Sequence, residues 1–261
     1  MDGPEVQPAL LDVRDALARG DTSAGAVVAT QCDRLSSVAE STNCVAWWND
    51  AGALAQAMSL DRRHEDAGPV GSLHGVPITV KDWIDVAELP CTGGFVEDRD
   101  RVAERDASVV GRLRAAGAIV IAKTTVQVDS ALFGPVRHPH DPTRSPGGSS
   151  SGEAAAVGGG GSMLGLASDS GGSIRVPAGW CGAAALKPSA GLVPTTGHFP
   201  RVGERSDGRT QIGAMAGSVA ALAAVLPVMA GPDGLDGGVA PVPLGDPSQV
   251  ELAGLQVGWW V

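Results

Sequence analysis

Serines and glycines are concentrated between Ser145 and Pro188, and a lysine, Lys81, lies in an apolar run far upstream of them. Two of the serines, Ser149 and Ser173, each follow a glycine. A serine hydroxyl is a weak nucleophile until a neighbouring group takes its proton, and a lysine can take that proton only while it is uncharged. These residue types therefore indicate acyl transfer by a serine nucleophile with a lysine base and no histidine.

The sequence around Lys81 bears on whether it can act as a base. The apolar run VPITV precedes Lys81, which favours burial, and burial lowers the pKa of a lysine from its ordinary value of about 10.4. Asp82 would raise that pKa again if its carboxylate faced the same side. A lone lysine after a strand is otherwise typical of a surface residue that keeps its ammonium group in water.

Three other interpretations of the Gly/Ser-rich segment are weaker. A phosphate-binding loop needs the pattern GxxxxGK[ST], and no lysine follows a glycine between Ser145 and Lys187. A nucleophile elbow needs GxSxG after a strand; Gly148 to Gly152 matches with Ser150 at the centre, but the preceding HDPTRSP cannot form a strand. A flexible linker would not continue into the apolar run MLGLASD.

Three motifs in the chain resemble the amidase signature family. The Gly/Ser-rich block GGSSSGEAAAVGGGG and the later GLASDSGGSIRVPAGWCGAAALKPS are similar to the family's signature region. Upstream, GVPITVKDWIDVAELPCTGG resembles the segment that carries the family's lysine, and DASVVGRLRAAGAIVIAKT resembles the helix and strand that follow it. The resemblance runs from about residue 70 to residue 231.

The resemblance implies a catalytic set of three side chains. Ser173 matches the family's nucleophile, Ser149 matches the serine in a cis peptide that relays the proton, and Lys81 matches the base. It implies hydrolysis of a carboxamide to a carboxylate and ammonia or an amine, through an acyl-enzyme on Ser173. No metal or cofactor is required for this chemistry.

The resemblance also implies the groups around the nucleophile. Backbone amides of Ser170, Gly171 and Gly172 are expected to form an oxyanion hole, since glycines leave the amides unobstructed. Asp169 and Arg175 match residues that orient the nucleophile, and a surface salt bridge is the alternative for this pair.

Two further functions stay open beside a small-molecule amidohydrolase. One is the amidase subunit of a tRNA-dependent amidotransferase, which resembles the same family and needs partner subunits. The other is a catalytically silent, truncated remnant. We expect a small-molecule amide as substrate, no membrane, no direct contact with nucleic acid, and either a homo-oligomer or a missing C-terminal partner.

Composition supports these expectations. The net charge is −10 and the pI is about 4.8, whereas a surface that binds phosphates needs clustered Lys and Arg. The first residues carry acids and no apolar core long enough for a signal peptide, and no later apolar run has membrane-spanning length, so we expect a cytoplasmic protein. The four cysteines lack CxxC spacing, so we expect buried free thiols, and the pair His138 and His140 is typical of a turn.

The alternation of short β-rich runs with helices predicts an α/β layered fold. The resemblance implies a mixed central β-sheet flanked by helices, the amidase signature fold, incomplete at its C-terminus. Residues 1–66 are expected to form an N-terminal helical segment that packs on the core, and residues 67–231 the signature core. Residues 232–261 are expected to form a linker and the start of a further strand.

The chain departs from the family pattern in three ways. Ser151 stands where the family usually has glycine, and Ala214 and Gly217 stand where a proline and an arginine are common. Family members also continue for roughly as long again beyond Val261. This last difference predicts a fragment, a split subunit or a degenerate protein.

Overall fold

The computed structural model describes residues 9–201, 208–256 and 258. Its helices are α1 (Leu10–Arg19), α2 (Ala24–Thr42), α3 (Asp50–Ala67), α4 (Ser108–Ala115), α5 (Ser151–Gly158), α6 (Arg175–Cys181) and α7 (Val219–Met229). Its strands are β1 (Val45–Trp48), β2 (Pro77–Lys81), β3 (Ile119–Thr124), β4 (Asp129–Ser130), β5 (Gly134–Pro135), β6 (Leu164–Asp169), β7 (Ala184–Leu186) and β8 (Gln211–Ala216). A short 3-10 turn spans Pro247–Gln249.

A mixed sheet with the strand order β1-β3-β2-β6-β8-β7 forms the centre of the described molecule. Strand β2 pairs in parallel with both β3 and β6, whereas β1 pairs antiparallel with β3, and β8 pairs antiparallel with β6 and β7. Strands β4 and β5 form a separate small hairpin. The predicted fold class, a mixed sheet flanked by helices, is confirmed.

The inner strands explain why the sheet lies at the core. Every residue of β2, β3, β6 and β8 is buried, and these strands are largely continuous runs of apolar and small residues. Strands of this kind need cover on both faces, which the helices provide. The outermost strands, β1 and β7, are only partly buried.

The N-terminal helices are held together by their own capping groups. Ser23 Oγ accepts a hydrogen bond from the amide of Ala26, as expected for the N-cap of α2. Asp61 of α3 accepts two more bonds, from the amides of Ala24 (2.6 Å) and Gly25 (2.9 Å). A carboxylate at a helix N-terminus satisfies amides that have no partner within the helix, so this contact fixes α3 against α2.

Several elements of the structure were not expected from the sequence, namely helix α6, strand β8 and the β4–β5 hairpin. Helix α6 was missed because Pro177 and Gly179 are weak signals for a helix. Strand β8 was missed because Gly213 interrupts it, and glycine is a weak signal for a strand. The packing explains the glycine, since a Cβ at Gly213 would lie 2.1 Å from the carbonyl oxygen of Leu186. Helix α7 contains Pro227 and continues through it to Met229.

The region after α7 is attached to the core rather than free at its start. Arg112 of α4 donates to the carbonyl groups of Met229, Ala230 and Gly231 at 2.7 to 3.0 Å, which caps the C-terminal end of α7. The amide and hydroxyl of Thr195 both donate to Asp236 (2.8 Å each). These bonds fix residues 229–236, while the domain boundaries stay predictions.

The strand expected at the end of the chain falls partly outside the described residues. Residues 252–256 form turn and irregular backbone, and residues 257 and 259–261 are not among those described. Across the described ranges, none of the helices is both long and apolar enough to span a membrane.

We predict that Gly165→Ala in β6 destabilises the protein by about 1 to 3 kcal/mol, because overpacking a tight core forces neighbours to move. A Cβ at this position would lie 2.1 Å from Glu153 Oε1, which is fully buried. Denaturant unfolding followed by circular dichroism would measure the change.

The matched control is Gly179→Ala in α6, where a Cβ meets nothing within 4 Å. This variant should be unchanged or more stable by up to about 1 kcal/mol. Equal stability of the two variants would contradict the packing that we describe around Gly165.

Candidate active site

The candidate site lies where two parallel strands end. Lys81 is the last residue of β2, and Ser168 and Asp169 are the last residues of β6. Because β2 and β6 are parallel neighbours, their carboxyl ends meet at the same edge of the sheet. The loop that leads into α5 brings Ser149 to the same place, although it is far from Lys81 in sequence.

Lys81 is fully buried among polar groups that carry no charge. Its Nζ donates to Ser149 Oγ (2.9 Å), Ser168 Oγ (3.1 Å) and the carbonyl oxygen of Ser168 (3.3 Å). The same nitrogen lies 4.2 Å from the centre of the Trp83 ring. Three acceptors match the three N–H bonds of an ammonium group, and none of the carboxylates in the described ranges touches it.

Burial lowers the pKa of Lys81 to about 7, although the charges of Glu153 and Asp169 act in the opposite direction. A lysine with such a pKa is uncharged in a large fraction of molecules near neutral pH, as a base must be. The burial of Lys81 that the apolar run VPITV predicts is therefore confirmed.

Asp82 follows Lys81 in sequence and could have raised the pKa of the lysine, but its carboxylate faces Thr92 and Lys123. Its carboxylate accepts bonds from the amide (3.1 Å) and hydroxyl (2.6 Å) of Thr92. It also pairs with Lys123 at 3.3 Å, and neither side chain is exposed. The carboxylate of Asp82, which follows Lys81 in sequence, therefore pairs with Lys123 and not with Lys81.

Glu153 is a buried residue of the site that sequence analysis missed. The hydroxyls of Thr79 and Thr124 donate to its two carboxylate oxygens. Burial raises the pKa of Glu153 to about 7, while the bonds from the threonines oppose this rise. The signal that could have identified it is an acidic residue at the start of the otherwise apolar run EAAAV.

The peptide between Gly148 and Ser149 is cis, as the resemblance implies. The carbonyl oxygen of Ser149 accepts a bond from the amide of Gln127 (2.8 Å), which fixes the loop. Ser150 is fully buried and donates its hydroxyl to the carbonyl of Ser168 (3.3 Å). A buried, bonded Ser150 does not suit a nucleophile elbow, in which this serine would be exposed.

Ser173 is half-buried in the turn between β6 and α6, and Asp169 organises that turn. Asp169 accepts bonds from the amides of Gly172 (2.7 Å) and Ile174 (3.1 Å), and Arg175 binds both of its carboxylate oxygens at 2.9 Å. Burial alone would raise the pKa of Asp169, but these bonds outweigh burial and bring it below its usual range.

The same bonds distinguish the two interpretations of the Asp169 and Arg175 pair. Arg175 is exposed, but Asp169 is fully buried and also accepts hydrogen bonds from the amides of Gly172 and Ile174 in the turn. A salt bridge confined to the surface does not describe this contact. The geometry supports the orienting role, which stays a prediction.

The amides expected to form the oxyanion hole are not all free. Gly172 has a φ of +112°, which favours glycine, and its amide is already bonded to Asp169. The Ser170 hydroxyl bonds to that of Thr210. Among the described residues, the amides of Ser170, Gly171 and Ser173 have no hydrogen-bond acceptor, so these three amides of the turn remain for a ligand.

One link of the expected relay is not formed in this structure. In the part of the chain that is described, Ser149 Oγ bonds to Lys81 but no hydrogen bond reaches Ser173 Oγ. The roles of Lys81, Ser149 and Ser173 stay predictions that the contact between lysine and cis-serine supports.

The positions that depart from the family pattern have clear surroundings. Ser151 is the first residue of α5, and its hydroxyl donates a hydrogen bond to the carbonyl of Gln127. Ala214 lies in β8 between its partners Leu166 and Leu186, where it is buried. Gly217 follows β8, and a Cβ there would meet nothing within 4 Å.

Cysteine and histidine pairs do not form an alternative site. All four cysteines are free thiols; Cys44, Cys91 and Cys181 are buried, but Cys32 is only partly buried, in contrast to our expectation. His138 and His140 lie in a loop, where their rings contact carbonyls at the end of α6. Within the described ranges, no group of three or more His, Cys, Asp or Glu could hold a metal ion.

Comparison with known proteins identifies the family. The family model called Amidase matches residues 26–261. The chain is 37% identical over 234 residues to a glutamyl-tRNA(Gln) amidotransferase subunit from Chlorobium phaeobacteroides, covering 86% of this chain and 48% of that protein. It is 35% identical over 255 residues to Amidase 2 of Gibberella moniliformis, covering 94% of this chain and 50% of that protein.

Solved structures agree with this result. The peptide amidase of Stenotrophomonas maltophilia superposes with a TM-score of 0.83 at 31% identity, covering 92% of this chain and 51% of that one. The chain therefore belongs to the amidase family, whose members include amidases and amidotransferase subunits. It spans about half the length of the relatives that it matches.

We predict that replacing the buried amine changes how stability depends on pH. The pKa of Lys81 is about 7 in the folded chain and 10.5 when unperturbed, so between these values the unfolded chain binds more protons and stability rises with pH. Lys81→Met removes this effect. From about pH 7.5 to 10, the free energy of unfolding should rise in the wild type, relative to the variant, by about 1 kcal/mol per pH unit.

Urea unfolding at several pH values would measure this difference. Lys187→Met is the control, because Lys187 is partly exposed to water, and its curve should stay parallel to that of the wild type. A Lys81→Met curve that is also parallel would show that Lys81 titrates alike in the folded and unfolded states.

Proposed function

We propose that this chain carries the amide-hydrolysing site of an amidohydrolase, with Ser173 as nucleophile, Ser149 as proton relay and Lys81 as base. The observation that supports this most is the fully buried Lys81 amine, 2.9 Å from the hydroxyl of a cis-serine, with its pKa lowered to about 7. A lysine that is only structural would more often keep its charge in water or pair with an anion.

The proposed reaction begins with attack of Ser173 Oγ on the carbonyl carbon of a carboxamide. The Ser173 proton passes to Ser149, and the Ser149 proton passes to the neutral Lys81. The unbonded amides of the turn, those of Ser170, Gly171 and Ser173, stabilise the negative oxygen, since donors fixed in a dry site interact strongly with developing charge. Ser149 then protonates the departing nitrogen, and Lys81 restores the Ser149 proton.

Water completes the cycle by hydrolysing the acyl-enzyme. Ser149 and Lys81 take one proton from the attacking water, and the released Ser173 oxygen takes it back as the ester bond breaks. One amide and one water give one carboxylic acid and one molecule of ammonia or amine. The Asp169 and Arg175 pair keeps the turn that carries Ser173 in place throughout.

The test is labelling of the 261-residue chain with a fluorophosphonate probe, followed by peptide mapping. We expect label on Ser173 in the wild type and none at that position in Ser173→Ala. Lys81→Ala should lower the labelling rate by about 10²- to 10⁴-fold, the usual contribution of a general base.

Ser189→Ala is the matched control, because Ser189 lies on the loop after β7, outside the site, and the variant should label at the wild-type rate. Label on a serine other than Ser173, or an equal rate in Lys81→Ala, would contradict the proposed roles. Circular dichroism of each variant checks that the fold is intact.

The relative from Chlorobium phaeobacteroides supports a second candidate, the amidase subunit of a tRNA-dependent amidotransferase. Under the first proposal, the chain alone should release ammonia or amine from simple amides, and added tRNA should not change the rate. Under the second, hydrolysis should require partner subunits that co-purify with the chain. Ammonia release measured with and without a tRNA fraction and candidate partners distinguishes the two.

A further inference from the structure

His198 contacts the group that holds Lys81, although sequence analysis gives it no role. It lies in the segment after β7 and is 5% exposed. Its Nε2 lies 2.8 Å from Ser168 Oγ, and its Nδ1 lies 2.8 Å from the carbonyl oxygen of Pro200. Ser168 Oγ in turn lies 3.1 Å from Lys81 Nζ. The side chains thus form a continuous chain from histidine through serine to lysine.

The ring of His198 is held in place by its neighbours. Its backbone pairs with that of Ile84, and the next residue, Phe199, donates its amide to the carbonyl of Trp83 (2.7 Å). The Trp83 ring meets the imidazole edge to face at 5.8 Å between centres. The segment 195–199 is therefore attached directly to the backbone that follows Lys81.

The partners of His198 fix the direction of each hydrogen bond when the imidazole is neutral. A carbonyl oxygen can only accept, so Nδ1 carries the proton and donates to Pro200. Nε2 is then an acceptor, and the Ser168 hydroxyl donates to it. With its proton used in this way, Ser168 Oγ can only accept from Lys81.

This direction matters because a neutral amine has one lone pair. If Lys81 donates to the hydroxyl and the carbonyl of Ser168, its lone pair remains for the Ser149 proton. If the Ser168 hydroxyl were free to turn, it could donate to Lys81 and occupy that lone pair. Ser168 would then compete with Ser149 for the base.

We propose that His198 is a positioning residue that holds the Ser168 hydroxyl as an acceptor towards Lys81, and so keeps the lysine lone pair directed at Ser149. This inference rests on the proposed function for its consequence in catalysis. For a neutral imidazole, the hydrogen-bond directions follow from the contacts with Pro200 and Ser168, and they can be tested separately.

Other charged groups face these side chains and must be considered in any pH effect. Glu153 and Asp169 act on Lys81 through their charges. His198 also lines a cavity of about 430 Å³ together with charged residues, namely Asp85, Arg101, Arg105, Arg201 and Asp236. Since these groups remain in every variant below, differences between variants isolate the chain from His198 to Lys81.

The first experiment is a double-mutant cycle of His198→Ala and Ser168→Ala, measured as the rate of probe labelling at Ser173. We expect His198→Ala to lower that rate by roughly 10- to 100-fold, even at about pH 9 where Lys81 is neutral, as loss of a buried hydrogen bond implies. In the Ser168→Ala background, removing His198 should change the rate less than about twofold, because the competing hydroxyl is gone.

Matched substitutions test the atom that matters. The amide of Gln in His198→Gln reaches the place of Nε2 and can accept from Ser168, whereas the amide of Asn in His198→Asn reaches only the place of Nδ1. We expect Gln to recover most of the rate and Asn to recover none. His74→Asn, at a buried histidine outside the site, is the control and should label at the wild-type rate.

Nitrogen-15 NMR of the histidine rings measures which nitrogen of His198 carries the proton, and this measurement does not depend on enzymatic activity. In the wild type near pH 8 we expect His198 to be protonated at Nδ1 and bare at Nε2, and Ser168→Ala should shift the Nε2 signal. A protonated Nε2, or equal losses for His198→Ala with and without Ser168, would overturn the proposal. A wild type that never labels Ser173 but shows the expected tautomer would contradict the proposed function and leave the Ser168 arrangement supported.

Discussion

The described structure depends most on one constraint: an amine is buried at the end of a central strand without a carboxylate in contact. Taking a charge out of water is unfavourable, and a protein normally offsets this with a counter-ion. Here the hydrogen-bond partners of Lys81 are three neutral oxygens, and burial lowers its pKa to about 7. The same burial that weakens stability gives the lysine an uncharged state near neutral pH.

The acidic groups near this amine are each bound by other partners. Asp82 pairs with Lys123 and accepts a hydrogen bond from Thr92, and Glu153 accepts hydrogen bonds from two threonine hydroxyls. Asp169 pairs with Arg175 and accepts hydrogen bonds from the amides of its own turn. These pairings keep carboxylates at the site while preventing any of them from neutralising Lys81 by direct contact. The environment of Lys81 therefore depends on the partners of these carboxylates as much as on the side chains that contact the lysine.

Much of the fold could be predicted because its signals are local. The apolar runs of β2, β3 and β6 and the amphipathic α1 report burial directly. Helix α6 and strand β8 could not be predicted in this way, because Pro177, Gly179 and Gly213 are poor local signals that tertiary contacts override. The cis peptide at Ser149 was expected only through the resemblance, since no local pattern specifies it.

By itself the sequence determined the residue types and their order: an isolated lysine after an apolar run, a serine block, and the resemblance to amidases. Only the tertiary structure decided that Asp82 faces Lys123, that Glu153 belongs to the site, and that His198 reaches Ser168. The physical reason is that these contacts depend on the strand order β3-β2-β6 and on the return of the chain after β7. The local periodicity of apolar residues indicates which side chains are buried. It does not indicate which residues distant in sequence lie at the same edge of the sheet.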